Sequence, residues 1–216
     1  MTDIKALIDI LESSELELHK DELLIINSFI SEMDTNQQLR LNGDLTHKAN
    51  YRLFHAMNQT VLIPGAKEHI AFSYFSASFA KEHRVGDHLL EELLQAFSAT
   101  GYLALVSLLI NALKRDRLTV IQLEKAEKMM DNEVFIKEAS AFRYRVAVKE
   151  GKLLNTDDLL KLLNMRAYTT LDFVLERKAV TKEALGGFWE PVIVERDKKI
   201  KESLYRKAKQ LLSELE

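Results

Sequence analysis

The 216 residues include no cysteine. That absence removes disulfides, thiolate catalysis and cysteine-ligated zinc together, and it agrees with a reducing compartment. Proline occurs twice and glycine seven times, which is too little turn material for an all-β fold of many short strands. Apart from Gly186-Gly187 the glycines are scattered, so no GxSxG elbow, Walker loop or GxGxxG turn exists. An excess of one charge is missing too. With 30 basic against 33 acidic residues the net charge is −3, so any contact with nucleic acid or anionic membrane has to be local. No apolar run approaches the roughly 20 residues that cross a bilayer. The opening MTDIKALIDILESSELE is acidic and lacks a basic n-region and a long apolar core, so it does not read as a secretory signal. Cytoplasmic residence without membrane contact is the expectation.

What is present favours helix. A hydrophobic fraction of 47% supplies a real core, and the densest apolar stretch is GYLALVSLLINAL at 101–113. Only Ser107 and Asn111 interrupt it, so as a helix it is apolar nearly all round and has to be covered by protein. The expected fold is all-α: a multi-helix bundle of short helical hairpins around this buried central helix. The halves 1–113 and 114–216 would pack as one compact unit, since no flexible linker separates them.

Along the chain, Ile4, Leu7, Ile8 and Leu11 follow the spacing of one helical face, and Leu23, Ile26, Phe29, Ile30 and Met33 form a second stripe. The segment 36–46, with Asn42-Gly43-Asp44, has the composition of a loop. Thr46 is placed to cap the next helix, and Pro64-Gly65 forces a new element to begin. Phe72, Phe75 and Phe79 share a helical face. A row at that spacing belongs to a core more readily than to a ligand pocket. Asp87 is a candidate N-cap, and Gly101 divides two helices.

The second half carries a recurrent turn. LKRDRLT at 113–119, VKEGKLLN at 148–155 and LERKAVT at 175–181 each end a helix in charged residues and offer a Thr or Asn to cap the next. The run 192–194, Val-Ile-Val, favours an extended form and predicts a minor strand. The last helix sets Ile200, Leu204, Ala208, Leu211 and Leu215 on one face, with lysines and Arg206 elsewhere.

The chemistry-bearing candidates are few. In 153–180 a short helix, a tight turn at Asn164-Met165 and a second helix from Arg166 or Ala167 resemble helix-turn-helix modules such as those of excisionase-like regulators. The resemblance implies that Arg166, Tyr168, Thr169 and Lys178 face DNA, reaching phosphates or base edges. Asp172 and Glu176 on the second helix oppose phosphate contact, and an ordinary helical hairpin accounts for the same residues. Arg143, Arg145 and the terminal cations, with Tyr144 and Tyr205 to stack on bases, would form a basic groove; alternating charge on a solvated face explains them as well. The pairs Glu68-His69, Glu82-His83 and Asp87-His88 have no recognisable metal-ligand spacing, so neither metal nor cofactor is expected.

The first reading is therefore a non-enzymatic helical interaction or regulatory protein that binds another protein, or a second copy of itself, through a helical surface. Phe188 and Trp189, beside Gly-Gly and Pro191, are its candidate interface anchors. The alternative is a nucleic-acid-binding regulator using the hairpin at 153–180. The third is an enzyme with a carboxylate or histidine site inside the bundle.

Overall fold

The structure, a computed structural model, describes residues 4–13, 17–187 and 197–215. Among these the chain is all-α, with thirteen α-helices and one 3-10 turn. The one β-type pairing among the described residues is an isolated parallel bridge between Leu154 and Val180. The minor strand expected at 192–194 and the anchors Phe188 and Trp189 lie outside the described residues. No helix among the described residues is long and apolar enough to cross a membrane. The chain divides into two units, Met1–Ala112 and Leu113–Glu216.

The first unit contains α1 (Ile4–Leu11), α2 (Lys20–Glu32), α3 (Thr35–Asp44), α4 (His47–Ala56), a 3-10 turn (Met57–Gln59), α5 (Pro64–Lys81), α6 (Asp87–Thr100) and most of α7 (Leu103–Lys114). Pro64 stands in the first turn of α5, where its missing N–H costs no helical bond. Helices α3, α4 and α6 pack along α5, and α1 packs on α2 and α4. Phe75 and Phe79 are buried as their spacing predicts, joined by Tyr74. Phe72 is half-buried and meets Tyr102 edge to face.

Three expectations need correction. Residues 36–46 are mostly helix, because α3 runs Thr35–Asp44. The Asp34 side chain accepts from the Gln37 backbone while Gln37 returns a bond to the Asp34 N–H, and this reciprocal cap satisfies the first turn. Gly86, not Asp87, occupies the N-cap of α6, and its N–H is taken by the Glu82 carboxylate at 3.0 Å. Helix α7 buries Leu105, Val106, Leu109, Ala112 and Leu113, but Leu103, Ser107 and Asn111, one turn apart, meet solvent. It is thus covered over most of its circumference and not all of it.

The second unit contains α8 (Val120–Glu127), α9 (Glu133–Lys149), α10 (Thr156–Asn164), α11 (Tyr168–Glu176), α12 (Lys182–Gly187) and α13 (Lys198–Glu214). Helix α11 touches α9, α10 and α13, and α12 touches α10 and α13. Leu159, Leu162, Leu171, Val174, Leu204 and Ala208 lie in their shared core.

The recurrent turn has one geometry. In each case a residue in the left-handed region ends the helix: Asp116 (φ 53°), Gly151 (φ 94°) and Lys178 (φ 53°). A buried aliphatic residue follows, Leu118, Leu154 and Val180 respectively. Then Thr119, Asn155 or Thr181 accepts a backbone N–H of the next helix. The left-handed residue reverses the chain, the aliphatic anchors it and the cap restarts it. The second and third turns also meet, since Leu154 donates to Ala179 O at 2.9 Å and Thr181 to Leu154 O at 3.0 Å.

Candidate interaction surface

Helix α9 shows two faces. One buries Phe135, Ala139, Phe142 and Val148, and it carries Arg145 inward with them, only 5% exposed. Arg145 Nε donates to Asp116 Oδ1 at 3.0 Å, Nη1 to Thr170 Oγ1 at 2.7 Å and to Glu138 at 3.3 Å, and Nη2 to Leu113 O at 2.7 Å. Lys149 donates to the second Asp116 oxygen at 2.6 Å. Burial alone would raise the Asp116 carboxyl, but bonds from Lys149 and Arg145 hold it below its ordinary value. Arg145 is therefore a structural cation and not part of a surface basic groove with Arg143.

The opposite side of α9 borders a pocket of about 590 Å³. Ser140, Arg143, Tyr144 and Ala147 supply one wall at helical one-turn spacing, and Lys152, Asp158, Lys161 and Met165 supply the other. Tyr144, Ala147 and Met165 are the apolar part of this lining. Asp158 is buried, and the Lys152 ammonium lies 3.1 Å from its Oδ2 and 5.7 Å from the Tyr144 ring centre. Arg143 grips Glu127 with both terminal nitrogens at 2.5 Å. Burial, then the nearby Asp158, pushes the Tyr144 phenol up. The trough thus has an aromatic and a thioether in its lining, with three cations and one carboxylate.

The residues implied by the helix-turn-helix resemblance sit elsewhere. Arg166 lies in the turn before α11 with φ 57°, not on the helix, and its Nε is 3.9 Å from Asp197 Oδ2. The Tyr168 hydroxyl donates to the same Asp197 oxygen at 2.8 Å, and burial followed by that bond pushes its phenol up to about 12. Thr169 is exposed. Lys178 donates to Glu214 Oε2 at 2.7 Å. Lys207 of α13 reaches Asp172 and Glu176. The second helix of the hairpin is thus flanked by α13 and laced to it by charge, and three of the four candidates already hold a carboxylate.

In the first unit Glu92 collects several polar groups. It accepts from the Tyr74 hydroxyl at 3.1 Å and stands 3.6 Å from both His55 Nε2 and His88 Nδ1. Burial lowers the His55 imidazole, Glu92 works against this, and His88 adds to it. Among the described residues no three His, Asp or Glu side chains are grouped to hold a metal ion. Arg52, 1% exposed, is used like Arg145: it donates to Ile10 O at 2.6 Å and Glu17 O at 3.0 Å, with Glu22 at 3.4 Å. Helix α2 turns an apolar face outward, with Leu24 63% and Ile25 47% exposed beside Ser28, Phe29 and Glu32.

The sequence suggested Arg143 as a groove cation and Tyr144 as a base-stacking residue, but not the trough that both border. The signal was the row Ser140, Tyr144, Ala147 on the side of α9 away from Phe142. No family model matches this chain, and no curated protein and no solved structure is similar enough to count as a match.

Proposed function

We propose that this chain is a non-enzymatic helical interaction protein, acting in the cytoplasm, that binds another protein through the trough between α9 and α10. One observation carries the reading: an open pocket of about 590 Å³ whose lining includes Tyr144, Ala147 and Met165. A groove between two helices takes the apolar face of a partner helix, whose side chains recur at the same one-turn spacing as the wall. Tyrosine and arginine at its margin are residue types enriched at such contacts. The test is selection of displayed peptides on the immobilised full chain, with the Ala147→Arg variant, which fills the trough, as counter-target. Peptides that bind the natural chain and fail on the variant support the reading. Peptides that ignore the substitution, or none at all, overturn it.

A second reading, nucleic-acid binding, draws on the distribution of charge. Twenty-two basic and eighteen acidic residues give the second unit +4, whereas eight and fifteen give the first −7. A cationic unit favours phosphate contact. The carboxylate partners of Arg166, Tyr168 and Lys178 count against the hairpin as its reader. Duplex DNA titrated at rising salt separates the two readings, because phosphate binding weakens steeply with salt and with Arg166→Glu.

A further inference from the structure

We propose that the α9/α10 trough of one copy takes the outward face of α2 from a second copy, so that the chain assembles head to tail. The proposal rests on the trough being a protein-binding groove and names its occupant.

Two surfaces support it. Along α2 the exposed residues Asp21, Leu24, Ile25, Ser28 and Glu32 fall at i, i+3, i+4, i+7 and i+11, a single helical stripe. Leucine and isoleucine lie at its middle, and a carboxylate stands at either end. Lys20 lies to one side. The trough is lined by the apolar Tyr144, Ala147 and Met165 and by the exposed Lys161, while Arg143 is already held by Glu127 and Lys152 by Asp158. The units that bear these surfaces carry −7 and +4, so long-range attraction draws the first unit of one molecule toward the second unit of another. Apolar side chains would leave water at the centre of the contact while an acid meets Lys161 at its margin.

Such a contact joins two different patches, so it is heterologous and propagates into open chains or closes into rings. A helix face in a short groove buries little area, so the association is weak and the Lys161 charge makes it sensitive to salt.

Sedimentation velocity of the full chain tests this, from about 1 to about 300 µM, a range that populates weak contacts. The expected result is a mean mass that climbs above 24.8 kDa with concentration and returns to it in high salt. Two exposed-site variants sharpen the test: Lys161→Glu in the trough and Leu24→Asp on α2. Each alone stays monomeric, with unchanged circular dichroism. Mixed in equal amounts they form a dimer and nothing larger, because the pair retains one intact trough and one intact α2 face. A natural chain that stays monomeric throughout, variants that still assemble, or a mixture that stays monomeric overturns the proposal. If displayed peptides still depend on Ala147 while the chain stays monomeric, the groove reading stands and self-occupancy alone falls.

Discussion

Arg145 and Asp116 are joined across 3.0 Å at the first of the recurrent turns, where Asp116 adopts φ 53° and Arg145 reaches it from the buried face of α9. The guanidinium closes the end of α7 by also binding Leu113 O, so one cation holds a helix terminus and a strained turn residue together.

Arg145→Leu should destabilise the second unit by about 1 to 3 kcal/mol, since it leaves the buried Leu113 O and Thr170 Oγ1 without this donor and Asp116 with Lys149 alone. The double variant Arg145→Leu/Asp116→Asn should recover part of that loss, a non-additivity visible in urea midpoints. The Asp116 carboxyl is held below its ordinary value of 3.8. Its contribution is therefore present above that value and lost as pH falls through the lower, folded one. Asp116→Asn should flatten this acid limb.

Gly151 and Arg166 share left-handed backbone, at φ 94° and φ 57°, but only one of them is suited to it. A methyl group on Gly151 meets nothing within 4 Å, so Gly151→Ala isolates backbone strain and should cost about 1 to 2 kcal/mol. Arg166→Gly should raise stability by up to about 1 kcal/mol, because the ion pair it gives up is long and exposed. Thermal melts that moved both variants in the same direction would contradict this.

His55 is held below its ordinary value of 6.5, first by burial. The unfolded chain then binds the extra proton more readily, so stability is full above 6.5 and declines as pH falls through the folded value. Urea midpoints measured from about pH 7.5 to about pH 5.5 should decline less in His55→Gln than in the natural chain.

The Tyr168 phenol is raised, so the sign reverses at the alkaline end. The folded state keeps a proton that the unfolded state releases near 10, and stability falls as pH climbs from there toward about 12. Tyr168→Phe should remove that contribution. Ultraviolet titration of the natural chain should show one more late-ionising phenol than the variant does.

The helices with an apolar stripe were legible in the sequence, and so were the recurrent caps at Thr119, Asn155 and Thr181, because local spacing and side-chain chemistry determine both. Helix α3 was not. Its TNQQLRLNGD has no stripe, and it is held by the Asp34 and Gln37 cap and by packing against α5. Arg145 read as a surface cation although it stands three residues after Phe142 and three before Val148, on the apolar row. A charged residue on such a row is buried only if distant groups bind it, and Asp116, Leu113 and Thr170 come from elsewhere in the chain. The trough was hidden for a related reason: its walls are separate helices, and periodicity within one element says nothing about the space between two.

The recurrent turns hold many of the lysines and arginines of the second unit, among them Lys114, Arg115, Lys152, Arg177 and Lys178, the very bonds a trypsin-like protease cuts. Cleavage requires the chain to enter the enzyme's cleft in extended form, and a turn locked by a reversed residue, a sunken aliphatic and a capped helix start must open before it can. Digestion of the folded chain should therefore spare these basic corners, and fragments that begin there report molecules that had already come undone.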